Sequence, residues 1–84
     1  MNADNYETSI KAALYSVAPD LAAEPLDADA RYRDQFEFDS MDLLRFILEV
    51  HRLTGIDIPE SDYRQLETLN GGVAYLRSKG TQPD

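Results

Sequence analysis

Residues 38–59 read FDSMDLLRFILEVHRLTGIDIP, and the reading of this segment decides the fold. Leu43, Phe46, Ile47, Val50 and Leu53 recur at the three- and four-residue spacing of one helix face, a broad core stripe. Asp42, Arg45, Glu49 and Arg52 form the polar face, and Met41, Leu44 and Leu48 lie on the flank between the two. The spacing predicts a helix over about 40–54 with part of its apolar surface exposed. Asp39 and Ser40 are both competent N-caps, and Gly55 suits a C-terminal turn. With Asp39 as the cap, Ser40 becomes the first helical residue with its hydroxyl facing solvent. Asp42 then sits in the first turn, where the helix dipole favours an anion.

Working outward, Tyr6, Ile10, Ala13, Leu14 and Val17 form one face of an earlier helix over about 4–18, capped by Asp4 and ended by Pro19. The connection that follows contains Pro25 and scattered aspartates, which oppose a continuous helix. Leu21, Leu26, Tyr32, Phe36 and Phe38 oppose disorder, so a long loop packed by its own side chains is expected. Within it DADARYRDQFEF faintly suggests a calcium loop, but Tyr32 stands where the glycine belongs and Phe38 where the glutamate belongs. After IDIP, a short helix over about 60–66 points Tyr63 and Leu66 inward. Thr68 can cap a last helix carrying Leu69, Val73, Tyr75 and Leu76 and running to Lys79, although Gly71 and Gly72 weaken its first turn. The fold class expected is all-α, a small antiparallel four-helix bundle. It has three longer helices, one short helix and a long loop between helices 1 and 2, in a single domain over residues 1–84.

The 84 residues carry sixteen acidic and eight basic side chains, a formal net charge of -8. That balance repels phosphate backbones and anionic lipid surfaces, which argues against nucleic-acid binding and membrane insertion. No apolar run approaches the ~20 residues of a membrane span. The start of the chain has neither the basic nor the apolar region of a signal peptide, so the cytoplasm is the expected location. Cysteine is absent, which removes disulfides and thiolate metal sites. Nothing in the sequence demands more than a monomer.

Ser40 then admits three readings. It can be a plain structural serine. It can be a nucleophile, but that role needs a base within hydrogen-bond reach. The single histidine, His51, lies eleven residues along the same helix, roughly 16 Å away. With no G-x-S-x-G elbow and no phosphate loop, self-contained catalysis is not expected. His51 is expected to be a solvated surface residue. The third reading is an attachment point.

DSM at the head of an apolar helix, followed by IDIPE with Pro59 nineteen residues after the serine, resembles the acyl carrier proteins, whose motif is D-S-L at this place. The order of helices resembles that family along nearly the whole chain. The resemblance implies that Ser40, flanked by Asp39, carries phosphopantetheine, whose thiol holds acyl groups as thioesters. It implies a carrier and not an enzyme, modified by a phosphopantetheinyl transferase and served by acyl-loading and acyl-transfer enzymes. It also implies that Asp39 and Asp42 meet basic partner residues and that Met41, Leu44 and Leu48 touch partner enzymes. The family's acyl chain tucks between helices, with Phe36, Phe38, Phe46 and Ile47 as plausible lining. An aminoacyl or peptidyl carrier for an adenylating enzyme, and an unmodified helical adaptor, are the alternative readings.

Three departures stand out. Met41 replaces leucine, and Glu37 stands where the family usually has glycine. Arg45, His51 and Arg52 occupy positions often acidic in fatty-acid-synthesis carriers. Asp42 and Glu49 against Arg45 and Arg52 leave residues 40–54 with no formal net charge. Arg45 and Arg52 are therefore expected to select partners, which points to a dedicated biosynthetic pathway.

Overall fold

The computed structural model describes residues 3–80, with side chains from Tyr6 onward. Four helices, α1 (Ala3–Val17), α2 (Tyr32–Gln35), α3 (Ser40–Thr54) and α4 (Leu69–Gly80), are joined by segments holding two 3₁₀ turns, Pro19–Ala23 and Glu60–Leu66. Among the described residues there is no strand, and no helix is long and apolar enough to cross a membrane.

α1 forms because Tyr6, Ile10, Ala13 and Leu14 share one face, and all four are buried. Asp4, its expected cap, lies outside the residues whose side chains are described. The helix stops at Val17 because Pro19 disfavours the α conformation at the residue before it, and Ala18 turns out with ψ 79°. Proline then opens the first 3₁₀ turn, where its missing N–H costs nothing.

α1 lies against both α3 and α4. Its direction relative to α4 follows from two close approaches. A Cβ on Gly72 would lie 3.0 Å from Ile10 Cδ1, and one on Gly80 would lie 1.9 Å from the Tyr6 hydroxyl. The start of α4 thus meets the middle of α1, and its end meets the beginning, an antiparallel pair. The same Gly80 position is 3.7 Å from Ile56 Cδ1, just past the end of α3. α3 and α4 therefore finish at the same end of the bundle, where α1 begins.

α3 has the predicted bounds. Phe46, Ile47 and Val50 are buried, and Leu43 is half-buried. Leu53, expected in the core stripe, is instead 40% exposed. The helix ends one residue later. Gly55 takes φ 72°, the left-handed conformation that suits glycine, and its N–H reaches the His51 carbonyl at 2.7 Å.

The long connection is a packed loop as expected, but it contains the 3₁₀ turn and the single turn α2. Tyr32, Leu21 and Phe38 are buried along it. Gln35 staples its interior, accepting from Asp27 N–H at 2.9 Å and donating to the Asp27 and Ala30 carbonyls at 2.8 and 3.0 Å. Two backbone bonds tie it to the far end of the chain: Tyr32 N–H to the Glu67 carbonyl, and Asn70 N–H to the Ala28 carbonyl, each 3.0 Å. The predicted short helix at 60–66 is a 3₁₀ segment with Leu66 buried and Tyr63 half-buried. Thr68 caps α4 as predicted, its Oγ1 accepting from Gly71 N–H at 2.9 Å.

Candidate functional site

The site is built at the N-terminus of α3. Asp39 is the N-cap in extended conformation, and its Oδ1 accepts from Asp42 N–H at 2.9 Å. Asp42 reciprocates, its Oδ2 accepting from Asp39 N–H at 3.2 Å. This is a complete capping box with aspartate in the place of the usual glutamate. Ser40 is therefore the first helical residue, exposed, and its hydroxyl has no hydrogen-bond partner among the described residues. The first-turn N–H groups that the box leaves unfilled surround it with the positive end of the helix dipole.

A groove of about 240 Å³ opens beside Ser40, walled by Tyr32 and Arg33 of α2, Phe38, Asp39, Leu43 and Glu67. Behind it Tyr32, Phe38 and Phe46 form an aromatic trio with ring centroids 5.3–6.3 Å apart, two of the pairs meeting edge to face. Such pairs contribute ~0.5–1.5 kcal/mol each beyond their burial. Of the four side chains expected to line a cargo path, Phe38 lines this groove. Phe46 and Ile47 are buried core, and Phe36 faces a separate hollow with Leu21 and Ala18.

Tyr32 is the oddest member of the wall. It is 1% exposed, yet its hydroxyl has no hydrogen-bond partner among the described residues. A buried hydroxyl in that state costs about 1–3 kcal/mol. Burial, and secondarily the neighbouring Tyr15, push its pKa up, so it stays protonated.

The remaining candidates lie along the outer face of α3. Met41 and Leu48 are each 57% exposed and Leu44 37%, forming an apolar strip that continues from Ser40. Arg52 is paired with Glu49, a hydrogen bond that raises the arginine pKa and lowers that of the glutamate. Arg45 is exposed and has no ion-pair partner among the described residues. The two arginines are thus not equivalent: one charge is locally balanced and the other is open. His51 is exposed as expected but not merely solvated. Its Nδ1 lies 2.9 Å from the Ile56 carbonyl and 3.5 Å from Asp57 Oδ1, so the neutral ring carries its proton on Nδ1 and clasps the turn after α3. Sequence reasoning missed Arg33 and Glu67 as groove residues, and no spacing marks them. Tyr32 was seen only as loop packing, although an aromatic residue between charged neighbours in a long loop is a usable signal.

Known proteins resemble this chain over most of its length. Residues 10–76 match the family described as "Phosphopantetheine attachment site". The chain is 26% identical over 58 residues to an acyl carrier protein of Renibacterium salmoninarum, covering 69% of this chain and 72% of that one. It is 25% identical over 72 residues to an acyl carrier protein of Lactobacillus acidophilus, covering 77% and 90%. A third acyl carrier protein, from Rubrobacter xylanophilus, is 31% identical over 48 residues, covering 57% and 59%. The molecule is a helical carrier domain of the kind that receives phosphopantetheine covalently, and not an enzyme. The chain belongs to the acyl carrier protein family.

Proposed function

We propose that Ser40 is the residue that receives phosphopantetheine, and that the protein carries acyl intermediates on it for a dedicated biosynthetic pathway. The observation that carries this reading is the division of labour at the head of α3. Asp39 and Asp42 complete the cap between themselves and leave the Ser40 hydroxyl exposed and without a hydrogen-bond partner among the described residues. A phosphodiester at this place fits the residues present, because it meets unpaired first-turn N–H groups. Attached there, the arm supplies a thiol to a protein that has no cysteine, and that thiol holds an acyl group as a thioester. The groove lined by Phe38, Leu43 and Tyr32 lies next to the attachment point and offers an apolar wall to a chain. Met41, Leu44 and Leu48 give partner enzymes an exposed apolar strip, and Asp39 and Asp42 give them charge to meet with basic residues. The partners proposed are a phosphopantetheinyl transferase and acyl-loading and acyl-transfer enzymes.

Incubation with a broad-specificity transferase, magnesium and coenzyme A should add one phosphopantetheinyl group, read by intact mass. Ser40→Ala should abolish the increase. An unchanged mass for the native chain, or an increase that survives Ser40→Ala, removes the assignment.

A further inference from the structure

Arg45 stands exposed on α3, and among the described residues no hydrogen bond or ion pair engages it. Two acids on its own helix are spaced to pair with it, Asp42 three residues before and Glu49 four residues after. Both are engaged elsewhere. Asp42 Oδ2 accepts from Asp39 N–H in the capping box, and Glu49 Oε1 accepts from Arg52 Nε at 2.9 Å. Met41, four residues before Arg45, and Leu48, three residues after, are its neighbours on the helix surface, and each is 57% exposed. The uncompensated charge therefore sits along the apolar strip and not at a distance from it.

A partner that covers Met41 and Leu48 takes water away from Arg45. A charge desolvated without a counter-ion is costly, and like charges facing each other across an interface repel. With both acids on its own helix engaged, Arg45 must find its counter-charge on the partner. Arg52 makes no equal demand, because Glu49 balances it.

We propose, building on the carrier reading above, that the enzyme served by this protein docks on α3 with an apolar surface that presents a carboxylate to Arg45. Basic residues of the same surface face Asp39 and Asp42, roughly one to two turns nearer the head of the helix. The partner surface is thus positive at one end and negative over the middle of α3. Arg45 is a specificity-determining residue that refuses an enzyme whose docking surface is basic throughout.

The probe is a malonyl transferase of general fatty-acid synthesis, with each lysine and arginine of its carrier-docking surface reversed to glutamate in turn. Malonyl loading is followed by intact mass on the phosphopantetheinylated native protein, Arg45→Glu and Arg52→Glu. Acylation of the transferase itself by malonyl-coenzyme A involves no carrier and verifies that each reversed enzyme is competent, and circular dichroism verifies the carrier variants. At least one reversal should raise loading of the native protein about tenfold, equivalent to about 1.4 kcal/mol. The same reversal should lower loading of Arg45→Glu, and Arg52→Glu should follow the native pattern. If no reversed enzyme favours the native protein over Arg45→Glu, the proposal is overturned. It is overturned equally if Arg52→Glu responds as strongly as Arg45→Glu. A native chain that sediments as a dimer, and as a monomer once Arg45 is reversed, assigns this face to a second copy and overturns it too. A native chain that gains no phosphopantetheinyl mass overturns the carrier reading itself, a result distinct from modified protein that is indifferent to the reversed charges.

Discussion

Asp39 and Ser40 are neighbours with opposite structural roles, and the contrast can be measured. Asp39→Ala removes the acceptor of the Asp42 N–H and leaves the capping box half made. The expected cost is about 1 kcal/mol, or ~4–8 °C in melting temperature for a domain this size. Ser40→Ala removes a hydroxyl that has no hydrogen-bond partner among the described residues, and the expected change is within about 0.5 kcal/mol. Melts of the two unmodified variants decide it, and the reverse order would make Ser40 the cap. This much was legible in the sequence, because a cap is set by residues three apart. The roles of His51 and Tyr32 were not. His51 finds its carbonyl only because the chain reverses at Gly55, and Tyr32 loses solvent only because Phe38 and Phe46 close over it.

α3 was the most readable element, since one periodic face and a terminal glycine define it without reference to the rest of the chain. Leu53 marks the limit of that method: periodicity places it on the core stripe, but whether a neighbour covers it is a tertiary matter. On the same helix Arg45 and Arg52 looked alike in sequence and differ in the structure. With Arg52 neutralised by Glu49, Arg45 carries the open positive charge that would oppose a basic partner. Arg45→Glu is therefore expected to raise acyl loading by a general fatty-acid-synthesis enzyme, by up to about tenfold for each 1.4 kcal/mol of repulsion relieved. Arg52→Glu should do less. Loading rates for the two phosphopantetheinylated variants test this, and equal effects would mean the Glu49 pair does not mask Arg52. α4 poses the converse problem. Alanine usually favours a helix over glycine by about 1 kcal/mol. A Cβ at Gly71, however, would lie 2.6 Å from the Thr68 cap oxygen and 2.8 Å from the Gln65 carbonyl. Gly71→Ala should accordingly destabilise, by about 1–2 kcal/mol, as the cap is displaced. Urea unfolding would show a lower midpoint, and a higher one would mean the turn relaxes freely. The glycines that weakened α4 on paper are close-approach positions, invisible until the turn before it is placed.

At the scale of the molecule, the all-helical class, the three longer helices and the packed character of the loop were legible from patterning and punctuation, whereas α2 was not. Nor was the groove, because Glu67 comes to it from a distant part of the chain and α2, the single turn beside it, has no periodicity to announce it. Alkaline stability is a property of the same whole. Burial, then the hydrogen bond to Asp62 and its charge, push Tyr75 up from an ordinary value near 10 to about 12, and burial pushes Tyr32 up as well. The folded state thus holds these protons more tightly than the unfolded chain does. Their contribution is fully present below pH 10 and is lost as pH rises toward 12. Urea unfolding across that interval should show stability falling steeply. Tyr75→Phe should be weaker at neutral pH by about 1 kcal/mol, for the lost hydrogen bond, but should show a shallower alkaline decline. An unchanged slope would assign the decline to other groups.

The two backbone bonds that join residues 28–32 to residues 67–70 have a kinetic consequence. They close a long stretch of chain, so the loop cannot settle until residues 67–70 have been made and folded back, and they should form late in folding. Once formed, they tie the wall of the groove to the first turn of α4. Opening that wall and fraying that turn then become a single cooperative event. Amide hydrogen exchange at Tyr32 and Asn70 should report one common opening free energy, smaller than that of global unfolding, and both should be protected together if a chain fills the groove.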